Sequence, residues 1–479
     1  MRYKRVLLII PCYPSGQNVL PLEPYIGIGY IAESLQREGI DCEFVDMRFN
    51  YSGQRLKNKL NVFQPDLVGL SMMTFLHRKT YDLIRMIKKV MPEVDVVVGG
   101  PHVSTLREAV LDDLEAIRYG IVLEGEEAIV ELRRGEELST IQGLIYRNNG
   151  QVIYTGDREC LADLDEIPFP QYGKFELDNY LIKSMPIITS RGCPFECIYC
   201  PVKAAIGGKF RARSAPNVLE EISYWYERGY RNFNIMDDNF TLLPERTMEI
   251  CDLIQARHFN DVSFNCPNGI RADKADRKVL TRLKEAGFQH IAFGVEAGND
   301  RILKNLNKGE KIEEIERAIG VSSDLDFQVS LFFLIGSPGE TWQDIEDSIR
   351  LALKYPVAEA RFYNLIPFPK TKLFDWVRNN GYFVRPPEEY LNDANHFVND
   401  PCFATPQLSL EERRRAFVYA NRISRKIRRR AYARRLRRFG PLGRPIAFFY
   451  TLGPLQKIHS RSIRQKKLRE WIKRTLKIK

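Results

Sequence analysis

The chain has 479 residues, of which 44% are hydrophobic and 28% are charged, and its formal net charge is +11. This length and balance predict two or three globular domains and exclude a disordered or fibrous protein. No apolar run is long enough for a membrane-spanning helix. The apolar start at residues 6–10 is broken by prolines before it reaches the length of a secretory signal. We therefore expect a cytoplasmic protein.

The positive charge is concentrated at the C-terminal end. Residues 411–479 contain 24 Lys and Arg against three acidic residues, a net charge of +21, which leaves −10 for the rest of the chain. Apolar residues are interleaved with these charges, as in basic amphipathic helices. Such helices suit an anionic membrane surface, and nucleic acid phosphates attract the same charges. A helix that packs on its own domain is the third interpretation, and all three stay open.

The first 142 residues alternate short apolar runs with amphipathic stretches. Candidate strands lie at residues 6–10, 42–45, 66–71, 94–98 and 117–123. Such alternation predicts an α/β fold with a doubly wound, Rossmann-like parallel sheet. Ligands of these sheets bind beyond the C-terminal ends of the strands. A nucleotide or a flavin is compatible with such a sheet.

A different pattern begins near residue 143. Alternation around Asn148-Asn149-Gly150 predicts a hairpin, and an extended linker follows up to residue 184. Strand–helix alternation then resumes, with candidate strands at residues 187–189, 233–236, 263–266, 291–295, 329–335 and 360–366. Six such units suit a partial (β/α)6 barrel or a second open sheet. The predicted boundaries are 1–142, 143–184 (hairpin and linker), 185–385 and a basic helical extension over 386–479.

Three of the nine cysteines fall within eight positions, at Cys193, Cys197 and Cys200. Three thiolates on one short loop can bind three irons of a 4Fe–4S cube, which leaves the fourth iron open for another ligand. The alternative is a structural zinc site. Zinc in such sites takes four ligands, and no Cys or His at suitable spacing completes this set. The residues alone favour a cluster and leave zinc as the alternative.

The spacing Cys193-x3-Cys197-x2-Cys200, with an aromatic Tyr199 before the third cysteine, resembles the signature of the radical S-adenosylmethionine superfamily. The resemblance implies that the open iron binds the amino and carboxylate groups of S-adenosylmethionine. It also implies that one electron from the cluster cleaves the cofactor to a 5′-deoxyadenosyl radical, which abstracts hydrogen from unactivated carbon. By the same resemblance the backbone at Tyr199 lies near the adenine.

The resemblance continues after the later strands of this region. It implies contacts to S-adenosylmethionine from Asp237, Asp238, Arg271, Gly294 and Glu296, in the segments that follow the second, third and fourth strands. Residues 335–341 and 367–371 match the segments after strands five and six. The last of these departs from the family pattern, because Lys370 stands where glycine is usual.

The first 142 residues resemble the cobalamin-binding domain that is often fused to such enzymes. The resemblance implies that Ser71, Thr74 and Gly99-Gly100 cradle the corrin and its nucleotide tail. The Asp-x-His-x-x-Gly motif that supplies a cobalt ligand in cobalamin mutases is absent, so we expect no histidine from that loop on the cobalt. His102 and His77 are the alternative ligands.

Together these resemblances imply a cobalamin-dependent radical S-adenosylmethionine enzyme, similar to the class B-type methylases and the anaerobic magnesium-protoporphyrin cyclase group. The implied activity is methylation of an unactivated carbon of a lipid, tetrapyrrole or other natural-product intermediate, with a reductant such as flavodoxin or ferredoxin. A radical cyclisation or rearrangement is the alternative within the family. An RNA-modifying or RNA-binding protein that uses the basic tail is the alternative from another class.

Overall fold

The computed structural model describes residues 2–12, 23–49, 51–180, 182–437, 440 and 443–450. The chain divides into two compact units. The first contains Met1–Asn268 and Ile366–His396, and the second contains Gly269–Leu365 and Phe397–Lys479. Among the described residues, no helix combines the length and the apolar character that crossing a membrane requires.

The N-terminal sheet of the first unit has seven strands in the spatial order β2-β1-β3-β4-β5-β6-β7. Strands β1 to β5 are parallel, and the β6–β7 hairpin adds two antiparallel strands at one edge. This confirms the predicted doubly wound sheet. The strands are β1 (Arg5–Ile10), β2 (Asp41–Asp46), β3 (Leu67–Ser71), β4 (Asp95–Gly99), β5 (Tyr119–Ile121), β6 (Leu144–Asn148) and β7 (Gln151–Tyr154).

Six helices connect the strands of this sheet. Because helices cover a parallel sheet, its strands read as continuous apolar runs, and residues such as Leu7, Val68 and Val96 are fully buried. The helices are α1 (Ile26–Arg37), α2 (Gly53–Phe63), α3 (His77–Val90), α4 (Pro101–Leu106), α5 (Glu108–Asp113) and α6 (Glu126–Arg134).

The rest of the first unit contains three further parallel strands and one short antiparallel pair. The parallel strands are β8 (Ser184–Ile187), β11 (Asn232–Ile235) and β12 (Ser263–Ile270), and the short pair is β9 (Ser190–Arg191) with β10 (Arg211–Ala212). Strand β8 begins three residues earlier than predicted and ends at Ile187. The helices are α7 (Val202–Ala205), α8 (Ala215–Glu227), α9 (Pro244–Ala256), α14 (Lys372–Asn379) and α15 (Pro387–Tyr390).

The second unit holds the remaining three predicted strands. Strands β13 (Phe288–Glu296), β14 (Gln328–Ile335) and β15 (Glu359–Asn364) are parallel. All six strands predicted after residue 185 are therefore observed, three in each unit. The helices are α10 (Arg277–Glu285), α11 (Asp300–Asn305), α12 (Ile312–Asp324), α13 (Trp342–Lys354), α16 (Leu410–Arg435) and α17 (Gly443–Tyr450).

The basic extension is helical where it is described, and helix α16 packs on β15. Its Ser424 hydroxyl donates to the Ala360 carbonyl at 2.5 Å, and Arg428 forms an ion pair with Glu359 at 3.1 Å. The buried side of α16 includes Ala416, Phe417, Ala420, Ile427 and Ala431. The packing interpretation therefore holds for one side of this helix. The predicted extension from residue 451 to 479 lies outside the described residues.

Candidate active site

The three clustered cysteines lie on a loop that the β9–β10 pair closes at its base. Arg191 pairs with Arg211 in this short ladder, and the three half-buried thiols lie between them. Gly192 has φ of +80°, and a Cβ there would overlap the Lys209 carbonyl oxygen. Only glycine tolerates this combination of conformation and contact. The short pair was not predicted, because two-residue strands carry no periodic signal.

A second contact fixes the middle of the cysteine loop. The Leu373 amide donates to the Ile198 carbonyl at 2.9 Å, and Lys372 forms an ion pair with Glu196 at 2.9 Å. Burial, together with the neighbouring Cys197 and Cys193, raises the pKa of Cys200 to about 12. A thiolate at this position therefore requires a cationic partner, as bound iron provides. Tyr199 lies half-buried on the same loop.

The described residues contain no group of three or more His, Cys, Asp or Glu arranged to hold one metal ion. The thiolates of a 4Fe–4S cube each bind a different iron, so a cluster does not require the three sulfurs to meet at one point. The donor set of three thiols on one loop fits such a cluster.

The acidic pair after β11 is divided between two roles. Asp237 is buried, and its carboxylate accepts from the Thr189 amide at 2.6 Å, the Thr189 hydroxyl at 2.6 Å and the Ser190 hydroxyl at 2.5 Å. It thereby fixes the turn between β8 and β9 that leads to the cysteines. Asp238 lines a cavity of the first unit. Burial and the charge of Asp237 raise the pKa of Asp238 to about 6.

That cavity has a volume of about 810 Å³, and all its lining residues belong to the first unit. One wall consists of strand ends of the N-terminal sheet, with Ser71, Gly99 and Gly100 from the predicted cobalamin contacts. The cavity is also lined by residues next to the cysteine loop, after β11 and within β12, namely Ser190, Arg191, Met236, Asp238 and Asn268. The predicted contact Thr74 is not among the lining residues.

The cavity also enters the N-terminal sheet between apolar side chains. Leu8, Gly69 and Val97 are register partners on three neighbouring strands and line this part. A Cβ at Gly69 would stand 2.8 Å from Leu8 Cδ2. At the strand ends, Gly100 has φ of +99° and approaches the Met72 carbonyl and the Ser71 hydroxyl. An apolar cavity at glycine-containing strand ends fits a large flat ligand such as a corrin.

Neither of the two candidate histidine ligands lines this cavity. The His102 and His77 rings stack on each other, with centroids 4.8 Å apart. His102 is buried, and burial lowers its pKa to about 3. His77 Nδ1 lies 2.8 Å from the Thr74 carbonyl oxygen. The Thr74 backbone therefore helps to hold the stacked pair of histidine rings.

The remaining predicted contacts, Arg271, Gly294 and Glu296, lie in the second unit around a buried group of charges. Glu296 follows a bulge in β13 and has φ of +65°. Lys308 Nζ lies 3.3 Å from Glu296 Oε1 and 3.4 Å from Glu310 Oε2. Lys308 was missed from the sequence, where it is one basic residue of an Asn-Lys-Gly turn.

Gly294 and Arg271 support this arrangement. A Cβ at Gly294 would stand 2.7 Å from Glu296 Oε1, so glycine makes room for the carboxylate. Arg271 donates to the Lys308 carbonyl at 2.9 Å and to Asp273 at 2.9 Å. Its guanidinium thus holds the loop that carries Lys308.

Two family models match the chain, one over the N-terminal sheet and one over the region that contains the cysteine loop. The model described as B12 binding domain matches residues 16–133, and the model described as Radical SAM superfamily matches residues 187–352. The chain is 31% identical over 423 residues to an uncharacterized methyltransferase from Pyrococcus horikoshii, which covers 86% of this chain and 90% of that protein.

The chain is also similar to a cyclase and to a methyltransferase of solved structure. The chain is 26% identical to an anaerobic magnesium-protoporphyrin IX monomethyl ester cyclase from Cereibacter sphaeroides, over 78% of this chain and 64% of the cyclase. A solved structure of the radical S-adenosylmethionine methyltransferase TsrM from Kitasatospora setae, with cobalamin and a 4Fe–4S cluster bound, has a TM-score of 0.70. It is 19% identical and covers 86% of this chain and 85% of that chain. The chain therefore belongs to the radical S-adenosylmethionine enzymes with a B12-binding domain, a family of cobalamin-dependent methyltransferases and related cyclases, and its cofactors are a 4Fe–4S cluster, S-adenosylmethionine and cobalamin.

Proposed function

We propose that this enzyme methylates an unactivated carbon of a small or lipid-like substrate. The observation that carries the proposal is that one cavity of about 810 Å³ in the first unit is bordered both by the predicted corrin contacts and by residues next to the cysteine loop. Chemistry that uses two cofactors on one substrate needs their reactive centres in a common space. The most similar relative named above is a methyltransferase, which favours methylation over cyclisation.

When bound, the three cofactors supply the radical and the methyl group, and the protein supplies orientation and exclusion of water. The residues of this chain suit that task. Ser71, Gly99 and Gly100 would hold cobalamin, and the three cysteines would hold the cluster. Asp238 would accept a hydrogen bond from the amine of S-adenosylmethionine. Apolar side chains such as Ile188, Ile206 and Met236 line the same cavity and would keep water from the reacting carbon.

A labelling experiment tests methylation against cyclisation. Anaerobically reconstituted enzyme, with cobalamin and a reductant, is incubated with an extract of cells that lack the gene. The incubation is repeated with S-adenosylmethionine that carries a trideuterated methyl group. We expect one product whose mass rises by three deuterium atoms in the labelled sample. A new product of equal mass in both samples would contradict methylation and support the cyclase alternative.

We also propose that flavodoxin or ferredoxin supplies the electron. The cysteines are partly exposed, and Lys203 and Lys372 stand beside them on the surface, where both are paired with Glu196. The test is to add reduced flavodoxin or reduced ferredoxin and to monitor reduction of the cluster by its visible absorption spectrum. Absence of reduction by both would contradict it.

We further propose that helix α16 attaches the enzyme to an anionic bilayer, which would present a lipid-like substrate. The side of α16 opposite β15 is exposed and basic, and it includes Arg414, Arg422, Arg425, Lys426 and Arg430. Near an anionic bilayer each such residue contributes about 1 kcal/mol. Phe448 on α17 is 46% exposed and would insert among the headgroups.

Vesicle sedimentation tests this attachment. The full chain should sediment with vesicles that contain phosphatidylglycerol and remain in solution with phosphatidylcholine alone. A variant with Arg422, Arg425 and Lys426 replaced by Gln should lose most of the binding, whereas Arg277→Gln, at an exposed position outside the extension, should not. Binding that ignores lipid charge would contradict the proposal. RNA that stays on the protein through high-salt washing would favour the RNA-binding alternative instead.

A further inference from the structure

The first turn of helix α16 places one charged side chain inside the second unit. Arg413 is 1% exposed, although residues on either side of it, Glu412 and Arg414, face solvent. A buried charge is costly unless hydrogen bonds compensate it. The partners of Arg413 therefore show what this side chain does in the fold.

Those partners lie at the end of β15. Arg413 Nη2 donates to the Leu365 carbonyl at 2.7 Å, and Nε lies 3.4 Å from Asn364 Oδ1. Asn364 is the last residue of β15. Nη1 donates to the Phe403 carbonyl at 2.9 Å, and the guanidinium lies 4.2 Å from the centroid of the Phe403 ring. One side chain of α16 thus fixes the C-terminal end of this strand.

The same guanidinium covers the residue directly after β14. Gly336 has φ of +103°, and a Cβ there would overlap the Arg413 guanidinium. The Gly336 amide donates to Glu340 Oε2 at 2.5 Å, and the Ser337 amide donates to the same oxygen at 3.1 Å. Residues 336–341 therefore fold around the buried Glu340 carboxylate, and Arg413 closes one side of this loop.

Both strand ends that Arg413 contacts are C-terminal ends of parallel strands, where α/β folds bind their ligands. We propose that Arg413 is a positioning residue for the S-adenosylmethionine site. It holds the loop after β14 and the end of β15 in the conformation that receives the cofactor. The inference rests on the family assignment, which gives S-adenosylmethionine as a cofactor.

Binding measurements on the full chain test this role. The dissociation constants of S-adenosylmethionine and of cobalamin are measured on the same cluster-loaded samples by equilibrium dialysis. Loss of charged hydrogen bonds of this kind should weaken S-adenosylmethionine binding about tenfold or more in Arg413→Gln. Cobalamin binding should change less than about twofold, because none of the residues that Arg413 contacts is a predicted cobalamin contact.

Two further variants make the result specific. Arg422→Gln removes an exposed arginine of the same helix and should leave both dissociation constants unchanged. Arg413→Lys keeps the charge but loses the planar fork. It should therefore fold and show a smaller selective loss of S-adenosylmethionine affinity.

Three results would overturn the inference. These are unchanged S-adenosylmethionine binding in Arg413→Gln, equal losses of both cofactors in Arg413→Lys, and equal effects of Arg413→Gln and Arg422→Gln. Wild-type protein that binds both cofactors but transfers no methyl group would contradict the proposed reaction and leave this inference intact.

Discussion

Arg191 Nη1 donates to Glu124 Oε1 at 3.0 Å, which joins the residue two positions before Cys193 to the loop after β5. Arg211, the ladder partner of Arg191, binds the same carboxylate at 2.7 and 3.0 Å. Arg191 also binds Glu126 at 2.7 Å. All four side chains are largely buried. This group of charges connects the B12-binding region to the cysteine loop within the first unit.

Replacement of Glu124 by Gln should destabilise the protein measurably. The change leaves Arg211 without a carboxylate and Arg191 with Glu126 alone, and removal of one partner of a buried ion pair costs about 3 kcal/mol or more. Urea unfolding of both proteins measures the difference in the free energy of unfolding. Glu127→Gln is the matched control, because Glu127 is exposed and pairs only at the surface with Arg158. Its effect should stay below about 1 kcal/mol, and equal effects would contradict the role of Glu124.

Each cysteine of the loop should be required for the cluster. Anaerobically reconstituted wild type should contain about four irons and four sulfides per chain and should cleave S-adenosylmethionine when reduced. Cys193→Ala, Cys197→Ala and Cys200→Ala should each lose most of the iron and the cleavage. Cys251→Ala and Cys266→Ala are controls, because both residues are buried core thiols, and both variants should keep the cluster. A full cluster in any of the three loop variants would refute the assignment.

The cobalt should have no histidine ligand from the protein. Neither His102 nor His77 lines the cavity, and the two rings stack on each other. Electron paramagnetic resonance of the full chain loaded with cob(II)alamin should therefore show no nitrogen splitting from a protein histidine. A splitting that disappears in His102→Ala or His77→Ala would show that this prediction is wrong.

Glu340 should make stability depend on pH. Burial raises the pKa of Glu340 from its ordinary value of 4.5 to about 7, although the Gly336 and Ser337 amides and Arg413 favour the charged form and Asp344 opposes it. A carboxyl group with a raised pKa in the folded state binds its proton more tightly there than in the unfolded state. Its contribution to stability is therefore complete below about pH 4.5 and is lost as the pH rises through about 7.

Glu340→Gln removes this titration and keeps an oxygen that can accept from both amides. The melting temperature of the wild type should fall relative to that of the variant as the pH rises from about 5 to about 8. Thermal unfolding of both proteins across this range measures the difference. Parallel pH profiles would contradict the raised pKa.

The sequence alone determined the cluster motif and the order of the strands. The spacing of Cys193, Cys197 and Cys200 is a local property of one loop. Strands read as short apolar or alternating runs between helical stretches, so all six strands after residue 185 were predicted. The observed ends of the strands differ from the predicted ends by a few residues. Strand β8 ends at Ile187 and not at Thr189, because the chain leaves the sheet where the Thr189 amide donates to Asp237.

The tertiary structure decided which of the polar residues near those strands face the cavity and which support the loops. Asp237 and Asp238 are neighbouring residues of the same type. The hydroxyls of Thr189 and Ser190 donate to the carboxylate of Asp237, whereas Asp238 lines the cavity. Glu124 meets Arg191, and Arg413 meets Leu365, across separations of 67 and 48 residues. Such contacts depend on how distant segments pack, and no local spacing encodes them. The same reason explains why helix α16, basic along its length, buries Arg413 and leaves Arg414 in solvent.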